Sequence, residues 1–185
     1  MAAKKSVPVR NVVMNLPRAA QNMRVWKFGD DIDTDAIIPG RFLTINNPDE
    51  LALHAFEGTR DEFAKKVKAG DVIVGGRNFG CGSSREHSPL ALKAIGVSAV
   101  IAKNFARIFY RNSINIGLPL VECPECVDGT NAGDVLEVDL ANGDIKNLTS
   151  GKSFKAAPYP EFMSELIAAG GLIEYTKKRI AVRRA

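Results

Sequence analysis

The chain has 185 residues, 45% of them hydrophobic, which suits one globular domain, and its apolar runs are too short and interrupted to cross a bilayer, which takes about 20 residues. Residues 1–29 carry six basic side chains, residues 177–185 carry five, and neither segment contains an acid, so the net charge of +4 comes from the ends. Residues 30–176 hold 14 basic and 21 acidic side chains, which disfavours a nucleic-acid-binding surface, and we expect neither a nucleic-acid nor a membrane partner.

The predicted elements begin with a flexible arm at residues 1–23, for which an extra edge strand at residues 7–14 is the alternative. Residues 24–28 predict a short strand, and it ends in an acidic turn at residues 29–35 that holds four aspartates. A polar stretch follows, in which Asn47-Pro-Asp-Glu is typical of a helix start.

From residue 71 onwards, apolar strands alternate with helices. The pattern predicts strands at residues 72–74, 98–102 and 118–121, with helices at residues 84–95 and 105–116 between them. Each helix is stopped by a glycine. Strands joined by helical crossovers form a parallel sheet with right-handed connections.

The last third of the chain has a different pattern. Residues 135–140 alternate apolar and polar side chains, Asn142-Gly143 is a strong hairpin turn signal, and residues 145–154 continue the alternation. The remaining predicted elements are a helix at 161–169 opened by Pro160, a last strand at 172–175 and a basic tail at 177–185. The predicted fold class is therefore α/β, with a parallel βαβ core plus a small antiparallel unit.

Metal-binding patterns are weak in this chain. An EF-hand calcium loop from Asp30 would need glycine at position six and glutamate at position twelve, where the chain has Asp35 and Arg41.

The three cysteines are Cys81, Cys123 and Cys126. This odd, low count favours a reducing compartment, hence the cytoplasm. Cys123-Pro-Glu-Cys126 is the pattern of half a zinc site or a redox pair, but two buried thiols at a strand end are commoner, and we expect no metal here.

The turn at residues 80–87, Gly-Cys-Gly-Ser-Ser-Arg-Glu-His, is the most informative stretch. Its glycines let the backbone turn sharply and be approached closely, and the following helix points its positive end at the turn. A capping box would explain Ser83 and Glu86, but not the neighbouring Ser84, Arg85 and glycines. The dinucleotide fingerprint, the Walker A motif and the G-x-S-x-G elbow are all absent. This composition predicts a pocket for a carboxylate-bearing ligand.

Three long motifs carry a resemblance to a known family. They are residues 29–39 (GDDIDTDAIIP), 76–86 (GRNFGCGSSRE) and 102–117 (AKNFARIFYRNSINIG). In this order, they resemble the small subunits of 3-isopropylmalate dehydratase and homoaconitase, the detached swivel domain of the aconitases. The match covers residues 24–176 and implies a swivelling β/β/α domain.

The resemblance also implies a shared active site. A large-subunit partner would carry a [4Fe–4S] cluster on its own cysteines, with no cofactor in this chain. Ser83 would be the catalytic base, Arg85 would clamp a substrate carboxylate, and Ser84 would add a hydrogen bond. Thr34, Asp35 and Arg41 are further candidates for binding substrate.

Substrate choice in the family is attributed to the loop that here contains Leu43, Thr44 and Ile45. Apolar residues and the lack of a new cation favour an alkyl malate, hence 3-isopropylmalate and leucine biosynthesis, over a tricarboxylate. Homoaconitase and dimethylmalate or citraconate hydratase small subunits remain alternatives. So does a non-catalytic module that binds a dicarboxylate or RNA.

Overall fold

The fold comes from a computed structural model that describes residues 20–184. Within that range, seven strands form one sheet in the order β4-β3-β2-β1-β5-β6-β7. The strands are β1 (Ala20–Lys27), β2 (Val72–Val74), β3 (Ala99–Ala102), β4 (Leu120–Glu122), β5 (Val135–Asp139), β6 (Asp144–Asn147) and β7 (Ser153–Lys155). Strands β1 to β4 pair in parallel, and β1 continues into β5, β6 and β7 by antiparallel pairing.

Short helices connect and cover the strands. They are α1 (Thr34–Ile37), α2 (Pro48–Ala52), α3 (Phe63–Lys66), α4 (His87–Ala94), α5 (Arg107–Ile116), α6 (Pro124–Asp128), α7 (Glu161–Ala169) and α8 (Leu172–Arg184). A single 3-10 turn at Gly40–Phe42 follows α1.

The parallel strands read as unbroken apolar runs because both faces of the sheet are buried. Ile73 of β2 points into a core shared with Leu92 of α4 and Phe109 of α5. Its neighbours in the chain point into a second core, which also contains Val121 of β4 and Ile145 of β6. Since β4 and β6 lie far apart in the strand order, the sheet must curl round this second core.

Most of the predicted elements are confirmed. The βαβ alternation, the parallel pairing, the β5–β6 hairpin and helix α7 with Pro160 at its N-cap are all present. Helices α4 and α5 begin two to three residues later than predicted, at His87 and Arg107.

The predicted strand at residues 172–175 is wrong, because these residues open α8, which also contains the basic residues predicted as a tail. Tyr175 is 6% exposed, packs edge-on against Phe162 of α7, and donates its hydroxyl to Glu165 at 3.0 Å. Lys177 pairs with Glu174 one helical turn away. Contact with α7 stabilises a helix where the local apolar pattern suggested a strand.

At the N-terminus, residues 20–23 belong to β1 and not to the predicted arm. The edge strand predicted at residues 7–14 lies outside the described residues. No helix in the described part of the chain is both long and apolar enough to cross a membrane.

Candidate active site

The loops after β1 and β2 run side by side, beyond the carboxyl ends of two neighbouring parallel strands. The Gly80 N–H donates to the Ile32 carbonyl at 2.7 Å, and the Thr34 N–H donates to the Cys81 carbonyl at 2.9 Å. Asp33 and Cys81 form an isolated parallel bridge. The acidic turn and the glycine–serine turn, about 50 residues apart in sequence, therefore meet where ligands bind in parallel α/β sheets.

Two glycines of the turn are required by its geometry. Gly80 has φ of +79°, and a Cβ there would lie 2.1 Å from Cγ of Phe109. Gly82 has φ of +91°, and a Cβ there would lie 3.3 Å from Oγ1 of Thr34. Side chains at these positions would strain the backbone and push the loop away from its two supports.

The Ser83 side chain is half-buried, and both its backbone and its hydroxyl contact Thr34. The Ser83 N–H donates to Thr34 Oγ1 at 3.1 Å, and the two hydroxyl oxygens lie 3.2 Å apart. Thr34 is only 1% exposed, and its carbonyl accepts a hydrogen bond from Ser88 at 2.9 Å. The substrate contact predicted for Thr34 stays a prediction, and the partner that the structure gives it is Ser83.

Arg85 follows Ser83 by two residues and forms an ion pair with Asp35. The Arg85 side chain is 25% exposed and that of Asp35 is 57% exposed, so the pair is open to a ligand. Gly40 faces the same pair: a Cβ there would lie 3.5 Å from Asp35 Oδ1 and 3.7 Å from Arg85 Nη2. Because Gly40 has no side chain, this position does not cover the guanidinium.

The capping-box interpretation of Ser83 is wrong, since α4 begins at His87 and its N-cap is Glu86, with no side-chain hydrogen bond. Ser83 therefore does not cap the helix, and its hydroxyl is free for another role. The backbone N–H groups of Ser84, Arg85 and Glu86 donate to no group within residues 20–184. Unpaired N–H groups ahead of a helix carry partial positive charge and attract anions.

Arg41 points elsewhere. Its guanidinium pairs with Glu57 at 2.7 Å and lies over the Phe42 ring, 4.6 Å from the centroid. His54 stacks on the Phe42 ring, with 3.8 Å between the ring centroids, and contacts Glu57 at 2.6 Å. The pKa of Glu57 is lowered chiefly by its hydrogen bond with His54 and secondly by its hydrogen bond with Arg41. The structure thus gives Arg41 a structural partner and does not bring it together with Arg85.

The three residues of the predicted specificity loop are placed unequally. Leu43 and Ile45 are half-buried against the core beneath the 3-10 turn, while Thr44 is exposed. The loop therefore offers a small polar side chain between two anchored apolar residues.

Comparisons with known proteins agree with one another. A family model described as the aconitase C-terminal domain matches residues 14–125. Two proteins named 3-isopropylmalate dehydratase small subunit are similar: that of Thermodesulfovibrio yellowstonii is 60% identical over 86% of this chain and 95% of its own, and that of Caldicellulosiruptor bescii is 65% identical over 83% and 93%. A crystal structure titled 3-isopropylmalate dehydratase, from Methanocaldococcus jannaschii, has a TM-score of 0.85 and 48% identity over 90% of this chain and 98% of that one.

This chain belongs to the family of 3-isopropylmalate dehydratase small subunits. The resemblance drawn from the three motifs is confirmed, as is the α/β fold class. Proteins of this family are components of a hydro-lyase, and the name small subunit implies a large-subunit partner.

Three residues that support the site were not identified by sequence reasoning. Ser88 and Asn112 are buried polar residues, and each donates to a backbone carbonyl of the two loops. Gly40 leaves room beside Arg85. Asn112 stands inside the third motif, so its position there was a signal, but the helical pattern did not show what its side chain contacts.

The cysteines lie in two separate places. Cys81 is half-buried beside the acidic turn, and burial, with the charges of Asp33 and Asp31, raises the pKa of its thiol. Cys123 and Cys126 are 1% and 0% exposed, as predicted for buried thiols. Among residues 20–184, no three metal-ligating side chains converge.

A cavity of about 370 Å³ lies between α5, β4 and the β5–β6 hairpin. Tyr110, Glu122 and Asp139 line it, together with mostly apolar residues. None of the predicted site residues lines it, so the candidate active site and this cavity are separate.

Proposed function

We propose that this chain supplies one wall of an active site that isomerises 3-isopropylmalate by dehydration and rehydration, with the other wall on a large subunit. The observation that carries the proposal is the placement of Ser83. Its hydroxyl is half-buried beside Thr34, and Arg85 lies two residues further on. Three N–H groups that have no acceptor in the described part of the chain follow Ser83. The arrangement can hold a carboxylate and place an oxygen base next to it.

Ser83 is proposed to remove the proton from the carbon next to a substrate carboxylate. A free alcohol is a poor base, so its alkoxide must be stabilised by its surroundings. Thr34 Oγ1 already accepts the Ser83 N–H, and its own proton can be donated to Ser83 Oγ across the 3.2 Å contact. A hydroxyl donor and nearby positive charge both favour the deprotonated form.

Arg85 is proposed to bind the substrate carboxylate. A guanidinium offers a planar pair of donors that matches a carboxylate, which an ammonium does not. Asp35 occupies one side of the guanidinium, and Gly40, which has no side chain of its own, lies beside it. Asp35 would thus orient Arg85, and the substrate would take the remaining donors.

We assign the iron–sulfur cluster to the large subunit. The three cysteines of this chain lie in two places, and no three metal-ligating side chains converge in the described part, so the residues here do not fit a cluster. When bound on the partner, the cluster would supply a Lewis acid for the substrate hydroxyl group. This chain's own contribution is proton removal at Ser83 and carboxylate binding at Arg85.

The choice of an alkyl malate is supported by the loop beside the site. Leu43 and Ile45 are packed against the core but are only partly buried, so apolar surface remains on the loop, and the cation that precedes them, Arg41, is paired with Glu57. Methylated malates form a second candidate substrate class. A Methanocaldococcus jannaschii relative named isopropylmalate/citramalate isomerase small subunit is 59% identical over 85% of this chain and 95% of its own.

The proposal is tested by mixing the full chain with a purified iron–sulfur large subunit and assaying 2-alkylmalates against homocitrate. We expect no activity from the chain alone, activity with 3-isopropylmalate on mixing, and a loss of about 10³-fold in Ser83→Ala, as for removal of a general base. Ser84→Ala is the comparison variant, because Ser84 is exposed and adjacent and is expected to contribute only one hydrogen bond to substrate; it should lose less than a tenth as much.

Full activity in Ser83→Ala would contradict the assignment of the base. Activity with homocitrate alone would contradict the alkyl malate. Tight binding of a dicarboxylate without any large subunit, seen as a thermal shift, would instead favour a stand-alone binding module.

A further inference from the structure

The Ser83 loop is attached to α5 at two points on one face of that helix. Phe109 and Asn112 are three residues apart, so their side chains lie above one another. Gly80 packs against the Phe109 ring, which is 1% exposed. The Asn112 side-chain amide donates to the Ser84 carbonyl at 3.1 Å.

The Asn112 contact controls the peptide unit between Ser84 and Arg85. Asn112 is 6% exposed, so its amide lies behind the loop and not in the open cleft. In a trans peptide the C=O and N–H point in opposite directions. With the Ser84 carbonyl turned towards α5, the N–H of Arg85 must point away from α5, and no group of residues 20–184 accepts it.

We infer that Asn112 is a positioning residue for the Ser83 base, acting through the Ser84 carbonyl. The inference rests on the function proposed above. Thr34 holds the loop on one side by accepting the Ser83 N–H, and Asn112 holds it on the other side by donating to the Ser84 carbonyl. Together they fix the Gly82–Ser83 and Ser84–Arg85 peptide units, which enclose the Ser83–Ser84 peptide, and with them the direction of the Arg85 N–H.

The test uses the complex with the large subunit and compares three variants of α5. Asn112→Ala should lower kcat about 10- to 100-fold, the scale expected when a reacting group is misplaced by about 1 Å, with little change in KM. Ser113→Ala is the matched control: Ser113 is 0% exposed, and its hydroxyl has no hydrogen-bond partner within residues 20–184. It should keep kcat within twofold.

Asn112→Asp separates positioning from folding. Its ionised carboxylate would repel the Ser84 carbonyl, whereas the protonated acid can donate to it. We therefore expect the kcat ratio of Asn112→Asp to Asn112→Ala to rise as the pH is lowered, at equal folded fractions measured by circular dichroism. The ionisable neighbours Arg85, Glu86 and His87 are present in both variants, so their contribution cancels from the ratio.

A wild-type kcat in Asn112→Ala, equal losses in Asn112→Ala and Ser113→Ala, or a pH-independent ratio would each overturn the inference. The Ser83→Ala variant is assayed alongside. If Ser83→Ala is inactive but Asn112→Ala is unaffected, only this inference fails; if Ser83→Ala is fully active, the proposed base fails regardless of Asn112.

Discussion

Two corners of this molecule follow the ends of parallel strands and carry nucleophilic side chains. After β2, Ser83 is half-buried, contacts the Thr34 hydroxyl, and precedes N–H groups with no acceptor in the described residues. After β4, Cys123 is the N-cap of α6 and Cys126 lies in its first turn; they are 1% and 0% exposed. A hydrogen bond from Cys126 lowers the pKa of Cys123 to about 7, although burial opposes this.

The difference shows that intrinsic reactivity does not make a site. The thiols are the better nucleophiles, but both are buried, and their polar neighbours are each other, Glu125, Thr130 and the Lys155 carbonyl. The serine is the weaker group, but cationic and N–H donors lie around it with an exposed face. Access and oriented donors decide which corner can do chemistry.

The largest effect should come from removing the cation of the serine corner. Arg85→Ala should lower kcat/KM about 10³-fold, since the substrate carboxylate loses its charged partner. Arg85→Lys keeps the charge but loses the two-donor geometry and should still be well below wild type. Steady-state kinetics with the large subunit measures both, and a fully active Arg85→Lys would show that the paired geometry is not used.

The glycines of the serine loop give the next largest effect, on stability. Gly80→Ala combines a positive φ with a clash against Phe109 and should lower the free energy of unfolding by about 2–5 kcal/mol. Gly58 is the matched control, with φ of +82° and no atom within 4 Å of the point where a Cβ would lie. Gly58→Ala should cost about 1–2 kcal/mol from strain alone. Urea unfolding compares them, and equal losses would show that the Phe109 contact does not constrain the loop.

Asp35→Asn should have a smaller effect on activity. Asp35 orients Arg85 from an exposed position, and exposed ion pairs contribute up to about 1 kcal/mol, so kcat/KM should fall about fivefold. The neighbouring Asp33 caps α1 and does not contact Arg85. Asp33→Asn serves as the control for a general change of charge at the acidic turn. A loss as large as that of Arg85→Ala would assign Asp35 a direct part in the reaction.

A substitution in the cysteine corner should have the smallest effect on activity. Its effect should be seen in the pH dependence of the free energy of unfolding. Because the folded-state pKa of Cys123 is about 7, below its ordinary value of 9.0, the folded state releases this proton first. The free energy of unfolding should therefore rise from pH 7 to pH 9, and this contribution should be lost as the pH falls through 7. Cys123 and burial raise the pKa of Cys126, and this opposes the rise only near pH 9 and above. Urea unfolding under reducing conditions measures it.

Cys123→Ser should remove this pH dependence and leave kcat within twofold. A large loss of activity in Cys123→Ser, with the folded fraction unchanged, would contradict the comparison. It would mean that the cysteine corner affects the chemistry of the serine corner.

The local signals of this sequence predicted much of the fold. Glycines that stop helices, apolar runs and the Asn142-Gly143 turn act over a few residues, and the elements that they predict are present. The strand at 172–175 was wrong because contact with α7, made through Tyr175, decides the conformation there. The helix start predicted at residue 84 was wrong because the loop before α4 is held by Thr34 and Asn112, which are distant in sequence.

The sequence by itself determined the family, the alternation of strands and helices, and the serine–arginine turn as the candidate site. Only the tertiary structure decided that β1 joins the parallel and antiparallel strands into one sheet, that Arg41 pairs with Glu57, and that Thr34 meets Ser83. The physical reason is range. Turn and helix preferences depend on neighbouring residues, whereas these pairings form across long loops and depend on packing of the whole chain.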